Sequence, residues 1–337
     1  MDNTIPSLLE ENNVPGLAIA IIEYNEIILK KGYGFADIEN SIPVTANTGF
    51  NVGSVSKTLT AWGIMKLVET GKVDLDEPIE NYLSRWKIPE SEFDHTKVTI
   101  RNILSHTAGL SVHGYPGFPP EMELPTLEQS LEGENGPVRE NEPVKLIHEP
   151  NTEFKYSGGG FTILQLLIEE VTGKSFSDFM EETVFAPLKM KNTGFTISTD
   201  ILKSSASPYD EEGNPIYIER FTAKAAAGLH TTLNNFIVFV QANLQENSIL
   251  NERSISMMME PIPVTNNMYG LSYRLMKASS FMLAGHAGSN DGWEAAFFLH
   301  PQSDSGIVML SNGSLGKNVL ISTLRNWIAW KSSRGAE

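Results

Sequence analysis

Residues 51–71, NVGSVSKTLTAWGIMKLVETG, combine a serine, a lysine three positions later and the start of a long helical pattern. Gly53 precedes Ser54, and Lys57 follows one helical turn on. Because residues three apart on a helix share a face, the Lys57 amine is predicted to reach the Ser54 hydroxyl. Two interpretations are open here: Ser54 is a helix cap beside a surface lysine, or it is a nucleophile beside its base.

The nucleophile interpretation sets a condition on Lys57. Serine is a weak nucleophile unless a neighbour takes its proton, and lysine takes a proton only when it is neutral. An unperturbed lysine has a pKa of ~10.4, so burial or nearby cations must lower that pKa by roughly 3 units. Gly53 permits close backbone approach, and a helix start offers free N–H groups to an oxyanion. The helix start that a cap marks would also aim the Ser54 hydroxyl.

Both ends of the chain read as strands. Residues 15–37 form two β-rich runs around a polar turn at 24–26, and residues 292–300 and 306–312 form a second pair. The chain closes on an apolar helical pattern at 317–333. The middle is mostly helical, with patterns at 57–70, 99–105, 160–172, 175–185 and 232–244.

These patterns predict an α+β fold. The N- and C-terminal strands form one antiparallel sheet flanked by helices, and a mostly helical region is inserted between them. We expect a discontinuous sheet domain, 1–56 plus 222–337, a helical domain, 57–221, and an active site at their interface. The Pro-, Gly- and Glu-rich stretch 113–143 is predicted to be a long loop, which is uncommon unless it is functional or mobile.

Composition excludes several classes of function. The 337-residue chain has a net charge of −16, which opposes binding to nucleic acid or to an anionic membrane surface. It has no cysteine, and its seven histidines form no H-E-x-x-H motif, so we expect neither a metal site nor a cofactor. No apolar run is long enough for a membrane span. The N-terminus lacks signal-peptide features, but compartment and oligomeric state stay open.

Two further motifs follow the Ser54 stretch. Tyr156 precedes Ser157 and three glycines that lead into a helix, so its hydroxyl is either a satisfied core group or a base or proton relay. Residues 286–288, His-Ala-Gly, read as the small-residue start of an edge strand, along which a substrate backbone can lie.

Together these motifs resemble the serine β-lactamase and penicillin-binding protein superfamily. They are closest to its class C β-lactamase-like branch, which includes D-alanyl-D-alanine carboxypeptidases, D-stereospecific aminopeptidases and family VIII esterases. Ser54–Lys57 matches the first motif, S-x-x-K, and residues 286–288 match the third, K-T-G or H-x-G. Residues 156–158 match only the tyrosine of the second, Tyr-x-Asn. Framework stretches such as 100–110 and 225–239 extend the resemblance over nearly the whole chain.

The resemblance implies a role for each matched residue. Ser54 would form an acyl-enzyme, and Lys57 would polarise the Ser54 side chain. Tyr156 would shuttle the serine proton to the leaving group, and His286 would line the site. The backbone N–H groups of Ser54 and Ser289 would form the oxyanion hole. A second set of residues is assigned more weakly to substrate binding: Ser157, Gly158, Ala287, Gly288, and Tyr115 and Phe118, which either wall the acyl pocket or lie on a mobile surface loop.

Two departures from the motifs bear on the substrate. His286 replaces the lysine that would hold a substrate carboxylate, and Gly158 replaces an asparagine that would bind the acyl side chain. Both favour an ester or a D-amino-acid amide or peptide over a β-lactam. The alternatives are a penicillin-binding homologue or β-lactamase that acylates with β-lactams and deacylates slowly or not at all, and an inactive scaffold.

Overall fold

The two ends of the chain meet in one antiparallel sheet of seven strands. The structure is a computed structural model that describes residues 1–134, 142–278 and 280–334. The strand order in the sheet is β3-β2-β1-β9-β8-β7-β6. The strands of this sheet are β1 Gly16–Glu23, β2 Glu26–Asp37, β3 Ile42–Pro43, β6 Arg274–Ala278, β7 Phe281–Asn290, β8 Trp293–His300 and β9 Ser305–Ser311; β4 Gly49–Asn51 and β5 His230–Thr232 pair separately.

The strand β1 lies in the interior of the sheet, and its sequence is apolar from Gly16 to Ile22. All eight of its residues are buried, and it pairs with β2 on one side and β9 on the other. Tyr24 and Asn25 both adopt positive φ, 50° and 62°, which allows the tight turn into β2. A strand buried on both faces reads as a continuous apolar run, as GLAIAII does here.

Helices cover both faces of the sheet. On one face α1 and α11 enclose a smaller apolar cluster that includes Ile5 and Trp327. On the other face α9 packs against β1 and β9, and the larger core continues through α2 and α5. The helices are α1 Thr4–Glu11, α2 Ser56–Glu69, α3 Ile100–Leu104, α4 Leu127–Leu131, α5 Gly158–Thr172, α6 Phe176–Met180, α7 Thr199–Ser204, α8 Lys224–Ala227, α9 Leu233–Leu244, α10 Glu252–Met258 and α11 Gly316–Arg334.

The predicted α+β architecture is confirmed, with local differences. The pairing of β4 with β5 was not expected, because three-residue strands are too short to show alternation. The predicted helix 175–185 is α6 followed by a π-helical turn, Glu181–Phe185. The two-domain division stays a prediction.

The predicted loop 113–143 is more ordered than its composition suggested. It contains α4, which begins with a capping box formed by Thr126 and Gln129. Its backbone at Phe118 is tied to Arg220 by two hydrogen bonds of 2.7 and 2.9 Å. Residues 135–141 of the predicted loop lie outside the described residues.

Candidate active site

Ser54 lies in a 3₁₀ turn, Gly53–Val55, that connects β4 to α2. The N-cap position of α2 is Val55, and no side chain caps that helix, so Ser54 is not a helix cap. Ser56 instead stabilises the turn, because its hydroxyl donates to the Gly53 carbonyl at 2.6 Å. The Ser54 hydroxyl is therefore free of a capping role, and the helix-cap interpretation of its side chain is wrong.

Lys57 is buried beside the Ser54 hydroxyl. Its side chain is 1% exposed, and Nζ lies 3.2 Å from Ser54 Oγ and 2.7 Å from the Ala226 carbonyl oxygen. Burial lowers the pKa of the Lys57 amine to about 7. Near neutral pH a substantial fraction of this amine is therefore neutral and able to accept the serine proton, which meets the condition set by the sequence.

Tyr156 completes the group around Ser54. Its hydroxyl lies near Ser54, and its ring centroid lies 5.0 Å from Lys57 Nζ. Burial raises the pKa of Tyr156 above its usual value, so the phenol stays protonated at neutral pH. Of the two bases left open by the sequence, the electrostatics favour Lys57, and Tyr156 is suited to donate or relay a proton.

The ring of Tyr156 contacts two imidazoles. The ring centroid of His106 lies 4.1 Å from that of Tyr156, and the ring centroid of His113 lies 4.9 Å from it. His106 is buried, and its Nδ1 accepts the Ser157 backbone N–H at 3.1 Å. His106 therefore holds the backbone beside Tyr156 in place, and the contact of Tyr156 with His113 was not predicted.

His286 is a neutral, internally bonded group. Its Nδ1 donates to the Ala287 carbonyl oxygen, and its Nε2 accepts from the Tyr269 hydroxyl, both at 2.7 Å. Burial, with Lys57 as a second cause, lowers the pKa of His286 to about 3. His286 is also only 5% exposed. It therefore supplies no positive charge for a substrate carboxylate, and its partner Tyr269 was missed by the sequence analysis.

The nucleophile turn and β7 touch through glycines. Gly53 has φ of +49°, and a Cβ there would lie 2.6 Å from the Ser289 nitrogen. A Cβ on Gly288 would lie 2.5 Å from the Ser54 nitrogen and even closer to the Val52 carbonyl oxygen. Glycine is therefore required at both positions. This contact brings the backbones of Ser54 and Ser289, the two expected oxyanion donors, into direct apposition.

β7 is an interior strand for half its length and an open edge for the rest. Its ladder with β6 ends at the pair Arg274–Gly285, so residues 286–290 continue beyond the β6 pairing. The expected open edge is therefore present, but it begins inside β7 rather than at its start. Ala287 and Ser289 are exposed on this segment, and the Ser289 hydroxyl donates to Glu294 at 2.7 Å.

Ser157 and Gly158 have structural reasons for their identity. Ser157 caps α5, since its hydroxyl accepts the Gly160 N–H at 3.0 Å and donates to the Ser111 carbonyl oxygen at 2.6 Å. A Cβ on Gly158 would lie 3.0 Å from the His113 carbonyl oxygen and 3.1 Å from Gly114 Cα. A side chain at this position would therefore pack tightly against the backbone of residues 113–114.

Tyr115 and Phe118 are buried, at 7% and 5% exposure. Tyr115 belongs to the main apolar core, so the mobile-surface interpretation does not fit either residue. Within the described residues, no group of three or more His, Asp or Glu side chains is placed to hold a metal ion. The described helices also include none that is both long and apolar enough to cross a membrane.

Comparison with known proteins decides the family. The Beta-lactamase family pattern matches residues 1–325, nearly the whole chain. The chain belongs to the beta-lactamase family. Among curated members, a beta-lactamase of Pseudomonas fluorescens is 28% identical over 245 residues, which are 72% of this chain and 64% of that protein.

This beta-lactamase family member is also similar to other proteins. Protein flp of Staphylococcus aureus (strain MRSA252) is 24% identical over 326 residues, 93% of this chain, and the chain spans 62% of the length of flp. Two solved structures share the fold. One is an octameric penicillin-binding protein homologue from Pyrococcus abyssi, with a TM-score of 0.78 and 23% identity, and the match covers 96% of this chain and 76% of that one. The other is a class C beta-lactamase, with a TM-score of 0.78 and 21% identity, and the match covers 96% of this chain and 93% of that one.

Proposed function

We propose that the protein is a serine hydrolase that works through an acyl-enzyme on Ser54. The observation that carries this proposal is the buried Lys57 amine, 3.2 Å from Ser54 Oγ with a pKa of about 7. A structural lysine gains little from burial without a carboxylate partner, whereas a general base needs a pKa near the working pH. Membership of the beta-lactamase family supports the same chemistry.

The acylation step follows from the positions of three side chains. Neutral Lys57 takes the proton of Ser54 as Oγ attacks the acyl carbonyl carbon. The resulting oxyanion is stabilised by the backbone N–H groups of Ser54 and Ser289. As the bond to the leaving group breaks, Tyr156 gives that group a proton and recovers one from Lys57. Water then attacks the acyl-enzyme by the reverse sequence of proton transfers and releases the acid.

The proposed substrate is a carboxylic ester or a D-amino-acid amide or peptide. β-Lactams and peptides ending in D-Ala-D-Ala carry a carboxylate, and the neutral imidazole of His286 offers that group no charge. In addition, Gly158 carries no amide to bind an acyl side chain, and the His113–Gly114 backbone packs closely around its Cα. Both features weaken the recognition of a typical β-lactam.

A second candidate function is acylation by β-lactams with slow or no deacylation. It is supported by the names of the relatives, a beta-lactamase and a penicillin-binding protein homologue. The two candidates differ in stoichiometry: the hydrolase releases many equivalents of product per protein, and the binding protein releases one and keeps a mass adduct.

A substrate panel distinguishes these candidates. Wild type and Ser54→Ala are compared on p-nitrophenyl acetate and butyrate, a chromogenic cephalosporin, D-Ala-p-nitroanilide and a D-Ala-D-Ala peptide. We expect repeated turnover of the short esters or of the anilide, little cephalosporin hydrolysis, and no activity in Ser54→Ala. Rapid cephalosporin turnover would contradict the substrate assignment, and equal rates in Ser54→Ala would contradict the serine mechanism.

A further inference from the structure

Two asparagine side chains join the elements that carry the proposed catalytic groups. Asn51 lies three residues before Ser54 at the end of β4, and Asn290 ends β7 directly after Ser289. Asn290 Nδ2 donates to Asn51 Oδ1 at 2.6 Å, across 239 residues of sequence. Asn51 is 1% exposed and Asn290 is partly buried. This contact is called the Asn51–Asn290 bridge below.

The direction of each hydrogen bond in the bridge is fixed by its backbone partners. Asn51 Oδ1 also accepts the Gly53 N–H at 2.8 Å, so the oxygen must face the nucleophile turn. The nitrogen atoms of both side chains donate to the Ala227 carbonyl oxygen, at 3.3 Å from Asn51 and 3.0 Å from Asn290. Because a carbonyl only accepts, neither amide can be reversed without loss of a bond.

The bridge therefore connects three separate elements: the turn that holds Ser54, the strand that holds Ser289, and α8. The carbonyl next to Ala227 in α8, that of Ala226, also accepts from Lys57 Nζ at 2.7 Å. An oxyanion hole built from N–H groups of two elements needs a fixed spacing between them. The glycine contact sets how closely the turn and β7 approach, but glycines carry no side chain to hold the register.

We infer that Asn51 and Asn290 are positioning residues, which hold the N–H groups of Ser54 and Ser289 in register for the developing oxyanion. This inference rests on the proposed acyl-enzyme chemistry. The side chains of the bridge do not touch the reacting atoms, so the expected signature is a loss of transition-state stabilisation with little change in substrate binding.

The test compares Asn290→Leu, Asn290→Asp and Asn51→Ala with the double variant Asn51→Ala/Asn290→Leu. Asn290→Asp keeps the side-chain shape but loses the donor. Asn243→Leu is the matched control, because Asn243 is a buried amide that bonds Tyr273 and the Phe239 carbonyl within and beside α9. The readouts are kcat and KM on the best ester of the panel, the melting temperature, and the affinity for phenylboronic acid, whose tetrahedral serine adduct places an oxygen in the oxyanion hole.

We expect Asn290→Leu and Asn290→Asp to lower kcat by about 10- to 100-fold, which is at most the effect of removing one oxyanion donor. KM should change by less than about threefold. Boronate affinity should fall by the same factor as kcat/KM. The double variant should be little worse than the poorer single variant, because the two residues act as one unit. Asn243→Leu should lower the melting temperature and leave kcat and boronate affinity unchanged.

Three results would overturn the inference: unchanged kcat and boronate affinity in both Asn290 variants, additive losses in the double variant, or an equal kcat loss in Asn243→Leu. A wild type that turns over no substrate and binds no boronate would instead refute the proposed function. If Asn290→Leu does not fold, the isosteric Asn290→Asp decides the outcome alone.

Discussion

At the scale of single residues, the proposed acylation depends on the protonation state of Lys57. Because its pKa is about 7, the fraction of neutral amine rises through the neutral range. We predict that kcat/KM for a short ester increases about tenfold per pH unit below pH 6 and levels off above pH 8. The measurement is a pH–rate profile of the wild type. A flat profile between pH 5 and 8 would show that no titrating base limits acylation.

The lowered pKa of Lys57 also affects the stability of the folded protein. An unfolded lysine has a pKa of ~10.4, so between pH 7 and ~10.4 the unfolded chain binds more protons and stability rises with pH. Lys57→Met removes the cost of burying this amine and so raises the free energy of unfolding. The Ala226 carbonyl, which then lacks its donor, offsets part of that increase. We expect an inactive variant whose free energy of unfolding exceeds that of wild type by about 1–3 kcal/mol at pH 7. Denaturant unfolding should show this difference shrinking toward pH 10, and a gain that grows with pH would contradict it.

Gly288 offers a test of the close backbone contact at the site. Gly288→Ala would force a methyl group against the Ser54 nitrogen and the Val52 carbonyl oxygen, so the turn and β7 must separate. We predict a loss of kcat of at least about 10²-fold, comparable to removal of an oxyanion donor. The control is Gly114→Ala, since a Cβ on Gly114 meets no atom within 4 Å. Equal activity of the two variants would mean that the contact is not needed.

At the scale of elements, the start of α5 packs against the backbone of residues 113–114. Gly158, which stands where the family motif has asparagine, lies at this contact. Gly158 packs on the backbone of His113 and Gly114, and its N–H donates to the His113 carbonyl oxygen at 2.9 Å. We predict that Gly158→Asn lowers the melting temperature and does not raise cephalosporin turnover. The check is thermal unfolding together with a cephalosporin assay. A gain in cephalosporin hydrolysis without a loss of stability would show that the asparagine alone had been missing.

The elements also show what sequence alone can predict about this site. Ser54 and Lys57 are paired by helical period, so their contact could be predicted from spacing. The long strands and helices were also predictable, because their apolar patterns extend over many residues. Asn51 and Asn290 could not be paired, since their contact joins elements 239 residues apart. The structural reason for Gly158 likewise depends on a backbone segment that only the fold brings close.

At the scale of the whole molecule, a buried ion pair joins the two ends of the chain. Glu23 at the end of β1 pairs with Lys331 of α11 at 2.7 Å, with side chains 8% and 10% exposed. The Glu23 carboxylate also accepts from Trp327 Nε1 and Ser305 Oγ, each at 3.0 Å. This cluster attaches the closing helix to the first strand of the sheet.

We predict that Glu23→Ala lowers the free energy of unfolding by about 3–5 kcal/mol, because it leaves a buried lysine without its partner. The control is Glu149→Ala, which breaks an exposed pair with Lys97 and should leave the free energy of unfolding almost unchanged. Chemical denaturation measures both, and kcat/KM at 25 °C should be unchanged in both. A small effect of Glu23→Ala would show that the cluster does not hold the ends together.

Rapid-quench mass spectrometry during hydrolysis of a short ester detects the proposed acyl-enzyme on Ser54 and shows whether it turns over. We predict a single acyl adduct, mapped to Ser54, that appears during turnover and disappears as the substrate is used up. We also predict no adduct in Ser54→Ala. An adduct on another residue, or one that persists after a single equivalent of product, would contradict the proposed acyl-enzyme turnover.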